Sequence, residues 1–254
     1  MKSVLRNAGI PFLVMALSVA SCGSSINPKN WSDAGPVTVE TSSLPGINGI
    51  CTSAVKVEYI PSDSQKIVVT APEKIHELLE IKVTDSVLNI SLEGSIGSAF
   101  IRSGNNLSRT VVRVYAKGVK NFDLSAGSSV AVASPVTITD MLKVSASSGA
   151  SFDAPSVTAP DVRLVASSGA SIEVSALAKS LWADASSGSS IEVEGKAEMV
   201  KLSSSSGASL DAEDLAAATG SASASSGSSI ECNIAAPASV SSNSGASISN
   251  RKNK

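Results

Sequence analysis

Ser147-Ser148-Gly149-Ala150-Ser151-Phe152-Asp153 is one copy of a phrase that returns as Ser167-Ser168-Gly169-Ala170-Ser171-Ile172-Glu173 and Ser186-Ser187-Gly188-Ser189-Ser190-Ile191-Glu192. It returns again as Ser205-Ser206-Gly207-Ala208-Ser209-Leu210-Asp211 and Ser225-Ser226-Gly227-Ser228-Ser229-Ile230-Glu231. Looser copies flank the series, Ala126-Gly127-Ser128-Ser129-Val130 before it and Ser244-Gly245-Ala246-Ser247-Ile248 after it. The glycines fall at 127, 149, 169, 188, 207, 227 and 245, in steps of 22, 20, 19, 19, 20 and 18 residues. A period of about 20 residues is that of a solenoid, in which each repeat stacks on the last because it cannot bury its apolar face alone.

The residues around each glycine select the kind of solenoid. In Leu164 to Val174, positions 164, 166, 168, 170, 172 and 174 carry apolar or small residues, and the other parity is mostly polar. That is the period of a strand, not of a helix. The copy at 201–212 alternates in the same way, and the Leu-x-x-Leu-x-Leu skeleton of leucine-rich repeats is missing. The expected fold is all-β: a single-chain parallel β-helix, taken as right-handed, with coils of roughly 20 residues stacked about 4.8 Å apart and one short helix near its N-terminal end. Ser-Ser-Gly marks either a bend or a tight ladder in which Cβ atoms would crowd.

Residues 1–21 read as a targeting segment, with Lys2 and Arg6 in a basic start and an apolar run from Ile10 to Ala20. The run is shorter than the roughly 20 residues of a membrane span. Val19-Ala20-Ser21-Cys22 looks like a bacterial lipobox, which implies cleavage before Cys22 and lipid on its thiol. Removing Lys2 and Arg6 leaves 18 basic against 22 acidic residues, a charge of −4. No basic patch points to nucleic acid. Residues 22–36 read as a flexible tether, and the absence of an acidic run after Cys22 leans toward the periplasmic leaflet of the outer membrane. The expected domain is 37–250, with its repeats at 121–250 and a basic tail at 251–254.

Before the repeats the chain has ordinary β texture. Val55 to Ile60 and Lys66 to Thr70 form a hairpin or successive sheet edges, and Glu80–Thr84 with Val87–Leu92 form a second strand pair. Pro72 to Glu80 reads as a short helix, 93–108 as a loop, and Arg109 to Ala116 as a strand. Pro45-Gly46-Ile47-Asn48-Gly49-Ile50, these strands and helix, and Arg113-Val114-Tyr115 leading into Asn121 to Ser129 together resemble the DUF2807 family, the head GIN domain proteins known as adhesin-like Bacteroidetes lipoproteins. The resemblance runs over roughly residues 37 to 250 and rests on the order of the elements. It implies a β-helix and an adhesin-like role, and it carries no catalytic residues.

The remaining chemistry is sparse. Cys51 and Cys232 lie at opposite ends of the expected stack, too far apart for a disulfide, and read as two small buried thiols. His76 stands alone in the sequence and makes a poor metal site. No Gly-x-Ser-x-Gly elbow occurs with partners, and the sugar-cleaving β-helices need clustered carboxylates and aromatic platforms that this chain, with 3% aromatics, lacks. Asp85-Ser86-Val87 resembles a Bacteroidetes O-glycosylation acceptor and also reads as a plain turn. Asp153, Glu173, Glu192, Asp211 and Glu231 are expected to stack as one outward column, the candidate binding face. Neighbours about 4.8 Å apart repel by roughly 0.9 kcal/mol in water, a repulsion to be relieved by salt and by Lys143, Arg163, Lys179, Lys196 and Lys201, or by calcium.

The functional expectation is a lipid-anchored envelope protein, not an enzyme and without a cofactor, that binds a glycan or an envelope or host surface protein. A periplasmic structural or envelope-stress lipoprotein is the alternative, ahead of a polysaccharide-active enzyme. The anchor makes one prediction: Cys22→Ser leaves precursor or soluble protein in place of detergent-phase protein, and unchanged detergent partitioning of that variant rejects lipidation at Cys22.

Overall fold

The computed structural model describes residues 37–41, 44–92 and 109–251. The targeting segment, the tether with Cys22, the loop at 93–108 and residues 252–254 lie outside the described residues.

The repeats form five long strands, β12 (Ser151–Ala166), β13 (Ser171–Ala185), β14 (Ser190–Ser204), β15 (Ser209–Ala224) and β16 (Ser229–Ser242), followed by the short β17 (Ser247–Asn250). Each pairs in parallel with the next, as a β-solenoid of about six turns requires. Against β12, three runs of β13 hold register: wall A (Ser171–Val174), a short wall B (Ala176–Ala178) and wall C (Ser180–Ala185). Inward positions alternate along walls A and C, so Phe152, Ile172, Ile191, Leu210 and Ile230 form one buried column. Leu164, Ala183, Leu202 and Ala222 form the facing one.

Ser-Ser-Gly is the corner joining wall C of one coil to wall A of the next. Ser168 and Gly169 both take left-handed backbone, with φ of 53° and 72°. The Ala170 N–H donates to the Ser167 carbonyl at 3.1 Å and closes a two-residue turn of the type I′ kind. The same pair of angles recurs at Ser148-Gly149, Ser187-Gly188, Ser206-Gly207, Ser226-Gly227 and Ser244-Gly245. The crowded-ladder reading is therefore set aside: a Cβ on any of these glycines would meet nothing within 4 Å. Glycine serves here for its backbone angle. Its N–H also continues the stack, since that of Gly169 donates to the Ser187 carbonyl at 3.2 Å and that of Gly188 to the Ser206 carbonyl at 3.1 Å. The turn interrupts the strict parity at Ser168 and Ser206, which are exposed.

Both inward positions at the corner are small, because the sharp turn brings them together. Ala146, Ala166, Ala185, Ser204 and Ala224 face Ala150, Ala170, Ser189, Ala208 and Ser228, all buried. At two of these positions serine adds a rivet between coils: Ser189 Oγ donates to the Ala166 carbonyl at 2.9 Å and accepts from Ser186 N–H at 3.0 Å. Ser228 Oγ does likewise with the Ser204 carbonyl at 2.8 Å. A buried hydroxyl without such partners would cost stability.

The N-terminal part caps the stack. β2 (Gly49–Ser53) and β3 (Lys56–Pro61) lie in parallel under β8 (Asn121–Ser125) and β9 (Ser129–Val132). β6 (Val87–Leu92) and β7 (Val111–Ala116) lie in parallel beneath β2 and β3. Antiparallel strands then end the growth: β5 (Leu79–Thr84) on β6, β4 (Lys66–Ala71) on β7, and β1 (Val37–Thr41) on β4. Of the two readings of β3 and β4, the hairpin does not form, because β7 comes between them and buries Val112 and Val114. The helix is shorter than expected, α1 (Glu73–His76), since Leu79 and Glu80 already pair with Leu92 and Ser91 across the β5–β6 hairpin. That hairpin turns at Asp85 and Ser86, with φ of 51° and 64°. Tyr59, Phe122 and Phe152 pack in series inside the first coils, ring centroids 5.7 and 5.0 Å apart. The Tyr59 hydroxyl donates to the Ala116 carbonyl at 3.1 Å and accepts from Val119 N–H at 3.2 Å.

The far end is closed differently. β17 covers only wall A of β16. The Asn250 side chain then stands in for a strand, accepting from Ile234 N–H and donating to the Ile234 carbonyl, both at 3.0 Å. Beyond it Val240, at a core position over Ala222, is 48% exposed.

Two glycines outside the corners do sit at tight places. Gly195 has φ of +107°, and a Cβ there would lie 2.2 Å from the Ala176 carbonyl oxygen of the neighbouring coil. Gly195→Ala should lose more than about 2 kcal/mol through strain and overlap, Gly188→Ala about 1 kcal/mol from its left-handed backbone alone, and Lys196→Ala less than about 0.5 kcal/mol. Urea midpoints check the order, and Gly188→Ala falling below Gly195→Ala would show that the corners, not wall B, are the tight places.

Candidate functional site

Register places the sequence-predicted acids together. Asp153 pairs with Glu173, Glu173 with Glu192, Glu192 with Asp211 and Asp211 with Glu231, and all five side chains are exposed on wall A. The column ends at Ala131 on one side and Ser249 on the other. A second outward column, Ser151, Ser171, Ser190, Ser209 and Ser229, runs beside it, with Ser229 Oγ donating to Ser209 Oγ at 3.3 Å.

The basic residues expected to relieve this column stand elsewhere. Lys143, Arg163 and Lys201 point outward from wall C, Lys196 from wall B, and Lys179 is exposed between walls B and C. Among the described residues none of the five acids makes an ion pair; the pairs present are Lys66–Glu40, Lys82–Glu80, Arg113–Glu58, Lys117–Asp63, Lys120–Asp140 and Arg251 with Glu213 and Asp214. The column stays solvated, and like charges along it discourage lateral pairing with another sheet. No group of three or more metal-ligating side chains gathers among the described residues.

Wall C carries a column that sequence reasoning did not assemble. Lys143 pairs with Arg163, Arg163 with Trp182, and Trp182 with Lys201, while Asn121 and Ser221 continue the line at its two ends. Lys143, Arg163 and Lys201 are exposed and Trp182 is half-buried. The signal was present: counting six residues back from Gly149, Gly169, Gly188 and Gly207 lands on these four residues, as counting four forward lands on the acids.

The thiols are free. Cys232 is buried in line with Ala212, as its parity requires. Cys51, expected to be buried, is only half-buried, because it lies on the outward parity of β2 between Asn89 and Asp123. Burial raises the pKa of both thiols, and at Cys51 the Asp123 carboxylate raises it further. Both are therefore protonated at neutral pH and weak as nucleophiles. His76 Nε2 lies 2.9 Å from the Val37 carbonyl oxygen, in hydrogen-bond contact across the cap. On wall B, Leu177, Lys196, Glu198, Ala216, Asn233 and Ala235 line a shallow depression of about 390 Å³, mostly apolar, with Lys196 and Glu198 as its two charged residues.

The head GIN domain model, described as "Putative auto-transporter adhesin, head GIN domain", matches residues 50–253. The chain belongs to the DUF2807 family. Solved structures share its fold: a "putative lipid binding protein" from Parabacteroides distasonis has 17% identity and a TM-score of 0.72 over 86% of this chain and 97% of that one. A "putative adhesin" from Parabacteroides merdae has 17% identity and a TM-score of 0.65 over 86% and 97%, and one from Bacteroides fragilis 18% and 0.58 over 85% and 96%. No protein of curated function matches the chain. This DUF2807 chain thus shares its fold with proteins described as adhesins or lipid binders, none of them as an enzyme.

The acidic column makes a further prediction about stability. Glu192 has a carboxylate above and below it, so Glu192→Gln should raise the urea midpoint at low ionic strength, with the gain vanishing as salt is added. A salt-independent effect, or none, would show that the column exerts no net repulsion.

Proposed function

We propose that the protein is a non-catalytic binding module of the cell envelope, held to the outer membrane by lipid on Cys22, that contacts an extended polymer or an opposing surface through its flat walls. The observation that carries this is the register itself: from β12 to β16 the same outward position presents the same chemistry, coil after coil. A stack of identical shallow contacts gains strength by repetition and needs no deep pocket. The family description and the adhesins among its structural relatives agree with a surface role.

The test is an array of glycans and matrix proteins probed with the full chain carrying Cys22→Ser. Beside it runs a variant in which Asp153, Glu173, Glu192, Asp211 and Glu231 are all neutralised. Retention on at least one surface without cleavage is the expected result, with the neutralised variant giving a changed profile and single neutralisations little change. Identical profiles would show wall A to be only a solvated surface, and no retention anywhere rejects the binding role. Protease shaving of intact cells then separates adhesion from a periplasmic structural role: loss of the protein supports the first, complete protection the second.

A further inference from the structure

We propose that wall C, and not the acidic wall A, is a binding site for an acidic polysaccharide, with Trp182 as its platform and Lys143, Arg163 and Lys201 as its anion contacts. The inference rests on the reading of the chain as a binding module and names the ligand class and the wall.

The four residues stand in one vertical line by strand register, a fact independent of side-chain rotamer. Ladder neighbours are about 4.8 Å apart, so Arg163 and Lys201 sit roughly 10 Å apart with Trp182 between them. Among the described residues none of the three cations has a carboxylate within ion-pair distance, although Lys120 and Arg251 at the margins do. Three unpaired cations lined up on a rigid sheet repel one another, and an anionic ligand that lies across them relieves that repulsion. Arg163 offers a planar fork suited to a carboxylate or sulfate, and Lys143 and Lys201 offer point charges.

Trp182 adds what simple charge does not. It is the one aromatic residue in the column, half-buried, and its indole N–H makes no hydrogen bond to the protein among the described residues. An apolar ring with one free donor suits a sugar, which has an apolar C–H face and a rim of hydroxyls. Met199, two residues before Lys201 on the same outward parity, is 45% exposed and widens the apolar surface beside it.

The acids on this wall narrow the ligand further. Asp161 and Asp184 lie two residues from Arg163 and Trp182, and Asp123 lies two residues from Asn121 at the lower end. They oppose a ligand with a charge on every unit, and they accept hydrogen bonds from hydroxyls. A nucleic acid has a phosphate on each nucleotide and needs successive aromatic platforms for its bases. A polysaccharide that alternates charged and neutral sugars meets both the cations and the aspartates. Wall A, with an unpaired carboxylate on each of five coils, repels the same polymer and so leaves wall C as the side it can approach.

The experiment uses the full chain with Cys22→Ser and Trp31→Phe, so that Trp182 is the sole tryptophan. It is titrated with polygalacturonate, chondroitin sulfate, hyaluronan, neutral dextran and single-stranded oligo-dT, with Trp182 fluorescence and retention on immobilised polymer as readouts. The expected result is a Trp182 emission change and retention with the acidic glycans, strongest for the alternating ones, weakened by salt and absent with dextran. Arg163→Gln with Lys201→Gln, and separately Trp182→Ala, should each weaken retention by about tenfold or more. Trp182→Phe, which keeps a ring, should weaken it less. Melting curves identify any variant that has lost its fold, and the double Gln variant, altered only at exposed positions, keeps the test valid if Trp182→Ala unfolds. Neutralising the wall A acids should leave retention equal or stronger.

Retention unaffected by the wall C substitutions, an unmoved Trp182 emission at saturation, or oligo-dT binding as well as the glycans each overturns the proposal. Binding to some other surface on the array but to no acidic glycan overturns wall C as an acidic-glycan site and leaves the binding role standing. Binding to nothing rejects both.

Discussion

The corner at Ser-Ser-Gly is the constraint on which the rest of the molecule depends. Two successive left-handed residues reverse the chain so tightly that wall C of one coil and wall A of the next share a small-residue seam. Each corner from Gly127 to Gly227 also donates its glycine N–H to the serine carbonyl of the coil above, so the hydrogen-bond ladder does not break at the bend. Serine in the left-handed region costs something that glycine would not. That local cost recurs at every corner and is offset by the ladder bond and by the two walls it aligns. With the corner fixed, the residue four places on faces out from wall A and the residue six places back faces out from wall C. One turn motif thereby sets two columns of surface chemistry.

Length variation is concentrated in wall B. From the wall A column to the wall C column the chain spends ten residues between Asp153 and Arg163, nine between Glu173 and Trp182, nine between Glu192 and Lys201, ten between Asp211 and Ser221, and eight between Glu231 and Ser239. Register breaks fall there after Ala154, Glu192 and Ala212, and one more falls in wall C of the last long coil, between Gly220 and Ser221, where Ala238 has no partner. Inserting or deleting a residue in walls A or C would flip every following side chain between core and solvent until the next corner. In wall B the corner beyond restores the phase, so irregularity there is tolerated. This explains why glycine steps of 18 to 22 residues coexist with intact columns.

Much of this was legible in the sequence because the repeat is its own alignment. Glycine spacing gave the coil, parity gave the interior, and the position after each apolar residue gave the acidic column, all of which register reproduces. The failures have physical causes. The N-terminal strands lack a repeat, so nothing local revealed that β7, about 40 residues downstream of β4, would slide between β3 and β4. The helix expected over Pro72 to Glu80 ends early because the hairpin takes Leu79 into β5. The cation and tryptophan column was missed for a different reason. Its members share a position but not a residue type, so a search for repeated letters passes over them.

That difference separates the two walls in kind. The acids of wall A recur as part of the repeated phrase, carried along with serine and glycine. Lys143, Arg163, Trp182 and Lys201 interrupt a position that elsewhere holds Asn121, Ser221 and Ser239. A structural ladder needs no cation or indole there, since Ser221 and Ser239 keep the same strand geometry on the next coils. Bulky side chains at an outward position of a serine-rich coil add little to the core, and Trp182 exposes apolar surface that folding alone would remove. The acidic wall follows from the repeat, and the basic wall departs from it. Departure from a repeat at a position the fold does not require is where binding chemistry has room to be placed.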